Sequence, residues 1–325
     1  STLLFFVPFL LFSPITAKII WVLVNFTAGT FAFRRLQQLT NASHHTWLLI
    51  LVVCFSAFHY ELLFGQLYLF LLFLLVEGFY QFRQNKTWIT ALLWSMAIVL
   101  KLFPLVLMGF LLFKGEWKTI WRTSLFTLAL LVSAIGLVGY DVWETYLAIV
   151  LPKSNMGYIN TAFNEILQSP ISWINHLFVR DDLSNALPLV HLPEIIPFAK
   201  AIFYGMCIGI TAYLTRKSMF TYFQDFSLWI FLGILLSPAG STYSLLLMAP
   251  LMFGFATAPD NKWKPRLMFC IVFLAINLHL PWFSELPVVF QFPRLYLLIL
   301  LFGLLTFSHL TKKVRYDVLG FIILF

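Results

Sequence analysis

Lys101 stands in the run Leu100-Lys101-Leu102-Phe103-Pro104, a single cation between two apolar segments. An unpaired charge inside a bilayer costs roughly 3 kcal/mol or more on insertion scales, so an intramembrane lysine is a functional candidate by default. A compact ammonium at the mouth of a helix bundle suits an anionic headgroup phosphate, and Pro104 sets a sharp turn that would hold it there. The structural alternative is a lysine whose stem snorkels to the interface to anchor a helix end.

Other polar groups gather at chain breaks of the same kind. His59, Tyr60 and Glu61, followed by Gly65 and Gln66, offer an imidazole, a phenol, a carboxylate and an amide within a short stretch. Glycine permits close backbone approach and glutamine can hydrogen-bond sugar hydroxyls. Glu61 is a possible acid or base, and its bland reading is an interfacial carboxylate facing water. The run from Ser237 to Tyr243 places small hydroxyl residues beside Pro238 and Gly240, which reads either as a plain turn or as the wall of a pocket. Between residues 140 and 195 lie Asp141, Trp143, Asn160, Asn164, Glu165, Gln168, Ser169, Trp173 and His176. Aromatic faces interleaved with amides and carboxylates suit carbohydrate, although an interfacial Trp and Tyr belt has the same composition.

The elements that must position these groups follow from composition. Of 325 residues 61% are apolar and 10% are charged, well below the roughly 25% charge of soluble domains. The mean hydropathy is +0.90. Apolar runs at about 15–33, 46–60, 67–82, 88–101, 103–114, 119–139, 196–215, 223–236, 241–257, 266–280 and 294–310, with one more from 316 onward, predict an all-α, polytopic transmembrane bundle of about 11–12 spans. It forms a single domain over 1–325, with a long external loop at about 140–195. Alternating the spans gathers most of the 21 basic residues on one face, among them Arg34, Arg35, Lys114 and Arg216, which makes that face cytoplasmic. Lys101, Gln66, the long loop and the Ser237 turn then share the outer face. The net charge of +8 resides in these short turns, so no nucleic-acid partner is expected. Cys54, Cys207 and Cys270 lie in apolar runs without metal-ligand spacing, and no Walker loop, GxGxxG or HExxH occurs. Neither metal nor cofactor is expected.

The order Phe64-Gly65-Gln66-Leu67-Tyr68, an apolar span, a basic turn from Arg83 to Trp88, the Lys101 to Pro104 turn, and a second basic turn after Lys114 resembles glycosyltransferase family 87. These are membrane mannosyltransferases of the GT-C class that use polyprenyl-phosphomannose. Gln168-Ser169 resembles the family's loop element, and Leu236-Ser237-Pro238 its later turn. The resemblance implies a GT-C-like fold with an outward-facing active site, transfer of a hexose, mannose before others, from a polyprenyl-phosphate donor to a lipid or glycan acceptor, and inversion at the sugar. It implies that Lys101 holds the donor phosphate, that Gln66, Gln168 and Ser169 position sugar or acceptor, and that Ser237 to Tyr243 closes the pocket. His59, Glu61 and Asp141 are weaker site candidates. The family's base is usually an Asp in the first external loop. Because the chain opens at Ser1 and closes at Phe325 inside an apolar run, both ends are expected to be cut, with that Asp before residue 1. Where family members carry Trp and His after the Ser-Pro turn, Ser241, Thr242 and Tyr243 stand here. A bacterial inner membrane is the expected location. A transporter or flippase of a lipid-linked or small polar substrate, and a polysaccharide polymerase or ligase, are the competing readings. The first would show an internal repeat, and the second more external arginines.

Overall fold

The computed structural model describes residues 3–155, 163, 167–238, 240–256 and 263–307. Asn160, Asn164, Glu165 and the apolar run from 316 lie outside the described residues. Within them the chain is all-helical, apart from an isolated bridge between Asp181 and Asn185. It is a polytopic helical membrane protein.

A short helix α1 (Leu3–Phe6) precedes α2 (Pro14–Thr40). Ser13 starts α2 by accepting the Thr16 N–H at 3.3 Å with Pro14 in the first turn, and Asn41 ends it in the left-handed conformation at φ 51°. Then come α3 (His44–Val53) and α4 (Phe55–Phe64), a pair bent by 56° at Cys54. Gly65, at φ +59°, closes α4 in the conformation that glycine adopts without strain. The chain continues through α5 (Tyr68–Arg83), α6 (Thr87–Leu100), α7 (Leu107–Lys114) and α8 (Trp117–Val138).

The residues that open the long segment between α8 and α12 are helical. α9 (Tyr140–Thr145), a π-turn and α10 (Leu151–Asn155) continue the run in helical form with their described residues largely exposed. Farther on, α11 (Pro170–Phe178) lies buried in the protein, and α12 (Ile196–Arg216) and α13 (Tyr222–Leu235) follow. The described part closes with α14 (Ala249–Ala256), α15 (Trp263–Asn277) and a helix α16 (Pro293–Phe307).

Each apolar run expected within the described residues corresponds to a helix or a helix pair, yet few are long. At 1.5 Å per residue about 20 residues cross the hydrocarbon. By length and composition α2, α8 and the stretch Pro193–Arg216 qualify, with the bent α3–α4 pair as a fourth. The remaining apolar helices, such as α6 and α13, are of 10–17 residues. Pro104 and the turn that holds Ser237 and Gly240 separate short helices at the breaks expected from the sequence.

The core is an aromatic stack where α5, α6, α7 and α13 meet. Phe79 and Phe226 stack at 4.3 Å between ring centres, with Trp94 and Phe110 each about 6 Å from Phe226. Beside this stack, Lys114 on α7 pairs with Asp225 on α13 at 2.5 Å, both side chains buried, and the ammonium also lies 4.6 Å from the Tyr222 ring centre. Removing one member of a buried pair leaves an uncompensated charge, at a cost of about 3–5 kcal/mol. Asp225→Ala should therefore lower the thermal midpoint of the detergent-solubilised protein sharply, and the double variant Lys114→Met, Asp225→Leu should recover most of the loss. Equal midpoints for Asp225→Ala and wild type would show that the pair contributes nothing.

Candidate functional site

Four segments distant in the chain converge at one end of the bundle. The first is the end of α6, where Lys101 leaves the helix in an extended conformation (φ −142°, ψ 138°) while its N–H still donates to the Ala97 carbonyl at 3.0 Å. Its ammonium stands 5.3 Å from the centre of the Tyr68 ring. Among the described residues the ion pairs are Arg35–Glu77, Lys114–Asp225 and Arg180–Asp182, so Lys101 is in none.

The second segment is the α4–α5 corner. Tyr68 opens α5 and is 4% exposed, with its ring 5.3 Å from that of Tyr243 and its phenol beside the Ser241 hydroxyl. Glu61, expected to face water, is instead 1% exposed. The physical reason is its neighbour: its Oε1 accepts the Leu69 N–H at 3.1 Å, where the carboxylate compensates the positive end of α5. Lys101 is its cationic neighbour. Glu61 is thus a helix-end carboxyl group built into the wall. Gln66 is half-buried on the same corner. Its N–H donates to the Glu61 carbonyl at 3.0 Å, and Trp21 Nε1 donates to the Gly65 and Gln66 carbonyls at 3.0 and 3.2 Å, which leaves the Gln66 side-chain amide without a partner among the described residues.

The third segment is the turn after α13. Ser237 N–H donates to the Ile234 carbonyl at 3.2 Å, and the Tyr204 hydroxyl donates to the Leu236 carbonyl at 3.0 Å. Gly240 is pressed against the long loop: a Cβ there would lie 2.3 Å from the Gln168 carbonyl oxygen, so only glycine fits. Ser241 is buried and Tyr243 half-buried, the latter with its ring also 6.5 Å from Phe64.

The fourth is the long loop with α16. Gln168 is 1% exposed and its amide is engaged at both ends, Nε2 donating to the Gln291 carbonyl at 2.8 Å and Oε1 accepting the Arg294 N–H at 3.2 Å. Ser169 caps α11 by accepting the Ser172 N–H at 3.2 Å. Both residues shape the site from behind. On α11, His176 sits between the rings of Phe163 and Phe292 and donates from Nδ1 to the Ser172 carbonyl at 2.8 Å; burial pushes its pKa below the ordinary histidine value, which keeps it neutral.

Arg294 is the site residue that the sequence reading passed over. It is 2% exposed and its guanidinium joins three carriers: Nε donates to the Ala275 carbonyl at 2.8 Å, Nη1 to the Gly240 carbonyl at 3.2 Å and Nη2 to the Thr242 hydroxyl at 2.9 Å. The planar fork of arginine reaches acceptors on separate elements at once, which no lysine does. Its position directly after Pro293 made it look like the interfacial start of a span. The signal present was a lone cation opening an apolar run within three residues of a glutamine.

Two candidates are not drawn in. His59 is exposed and contacts the Tyr60 ring edge-on at 5.6 Å. Asp141 is exposed on α9, and its carbonyl accepts the Thr145 hydroxyl at 3.0 Å. Among the described residues no group of three or more His, Cys, Asp or Glu side chains is placed to hold a metal ion.

What remains is a wall at one end of the bundle carrying the half-buried Lys101 ammonium, Tyr243 packed on the buried Tyr68, a free amide and a buried arginine behind. Such a wall can bind an anion beside a polyhydroxylated group. A model of glycosyltransferase family 87 matches residues 1–238. No curated protein and no solved structure matches the chain.

Proposed function

The chain belongs to glycosyltransferase family 87, and from that premise we propose that it moves a hexose, mannose before others, from a polyprenyl-phosphate donor to a lipid or glycan acceptor at the outer face of a bacterial inner membrane. As a membrane glycosyltransferase it requires a sugar donor and an acceptor. The observation that carries the finer reading is the position of Lys101, a half-buried cation outside every described ion pair, beside the Tyr68 ring at one end of the bundle.

In an inverting transfer the acceptor hydroxyl attacks the anomeric carbon on the face opposite the phosphate. The bond from that carbon to the phosphate oxygen breaks, the lipid phosphate leaves with the bonding electrons, and the hydroxyl proton passes to a base. Negative charge grows on the leaving phosphate along this path, so a fixed cation there stabilises the transition state more than the bound donor. Lys101 takes that role. The half-buried Tyr243, backed by the buried Tyr68, presents a face on which a sugar ring stacks, and the free amide of Gln66 takes a sugar hydroxyl. Gln168, Ser169 and the Ser237 to Tyr243 turn hold this surface in shape.

The direct test uses proteoliposomes containing the full protein, radiolabelled polyprenyl-phosphate mannose and a mixed lipid and glycan acceptor extract. Label should move to an acceptor with mannose and move more slowly, or not at all, with other hexoses. If no lipid-linked hexose or pentose gives transfer, the donor assignment fails and the transporter reading is the one to pursue.

A further inference from the structure

A polar cleft lies away from the candidate site, about nine residues or 14 Å along α5 from Tyr68. Its volume is about 160 Å³, and Phe31, Arg34, Arg35, Gln38 and Glu77 line it. Arg35 is locked in place. Its Nε donates to Glu77 Oε2 at 2.7 Å, its Nη2 to Oε1 at 3.3 Å and its Nη1 to Gln38 Oε1 at 2.8 Å, while its guanidinium stacks 3.6 Å above the Tyr80 ring. Gln81 donates to Glu77 Oε1 at 2.5 Å. Both oxygens of the one acid are therefore occupied, and its charge is balanced within the wall.

The groups left over are all donors. Arg34 is exposed with no hydrogen bond, ion pair or ring contact among the described residues, and the Nε2 of Gln38 is likewise unengaged. With Arg34 unbalanced the cleft carries net positive charge. We propose that this cleft holds the phosphodiester headgroup of an anionic glycerophospholipid, whose acyl chains run along the outside of α2. The guanidinium of Arg34 takes two phosphate oxygens side by side and Gln38 a third, a geometry that planar guanidinium favours. The lipid rather than a soluble anion is indicated by the neighbouring surface. Phe31 is 56% exposed at the rim and Val24, two turns earlier on the same face of α2, is also exposed, so an apolar track leads from the cleft into the bilayer. The charge bias that makes this the cytoplasmic end places it at the leaflet where anionic lipid and basic residues attract.

The full chain, purified in mild detergent, is mixed with phosphatidylglycerol or phosphatidylcholine, and retained lipid is counted by native mass spectrometry. Wild type should keep phosphatidylglycerol at concentrations where phosphatidylcholine is lost. Arg34→Gln should weaken that retention about tenfold and Gln38→Leu about threefold, as expected for one charge-assisted and one neutral contact. Arg216→Gln, at the exposed end of α12, should leave it unchanged. Equal retention of the two lipids by wild type, or equal losses for Arg34→Gln and Arg216→Gln, overturns the site. Displacement of the bound lipid by inorganic phosphate alone overturns its assignment to a lipid.

Discussion

Lys101→Met should lower kcat/KM for the lipid-linked donor by roughly two to three orders of magnitude, the scale on which removal of one preorganised electrostatic partner is felt. Methionine keeps the length and apolar stem of the side chain, so packing against Tyr68 survives and the lost quantity is charge. The effect should divide unevenly. Because the phosphate gains charge as the bond to the sugar breaks, kcat falls, and donor KM rises as the ground-state contact goes, whereas acceptor KM stays near wild type. Lys101→Arg keeps a cation in the same mouth and should recover part of the rate. Measuring initial rates against donor and acceptor separately decides the matter: a variant with unchanged donor dependence removes Lys101 from the phosphate.

Arg294→Met should be the most destabilising single change at the site, at about 3 kcal/mol or more, because it leaves the buried Gly240 and Ala275 carbonyls without their donor and frees the half-buried Thr242 hydroxyl. Each such orphan costs about 1–3 kcal/mol. Arg294→Lys retains the charge without the fork, so it should recover little of the loss. The readouts are thermal unfolding in detergent and transfer by the protein that remains folded, which should also fall because the turn bearing Ser241 and Tyr243 is no longer held. An unfolding midpoint within error of wild type would show that the guanidinium does not hold the turn.

The readable parts of this site are those marked by backbone chemistry. Pro104 and Gly65 each announce a break in an apolar run, and the cation and amide beside them were legible for that reason. Likewise Pro238 and Gly240 marked the turn that meets Gln168. The burial of Glu61 was not legible, because it depends on an N–H of the next helix eight residues away. Nor was the engagement of Gln168, since a free amide and a satisfied one have the same sequence. Helix positions followed hydropathy closely, but the bend at Cys54 and the helical course of Tyr140 to Asn155 depend on packing that no periodicity records.

The Gln168–Arg294 hydrogen bond joins residues 126 positions apart. A contact of such range cannot form until the ribosome has released nearly all of the described chain, and closing so long a segment is slow relative to local helix formation. During insertion, Lys101, Glu61 and Tyr68 therefore occupy the membrane as a loose corner while the Gly240 turn awaits its guanidinium clasp. The wall that carries Lys101 is completed by the last of the described helices, so an ability to hold substrate there should appear only after α16 has docked.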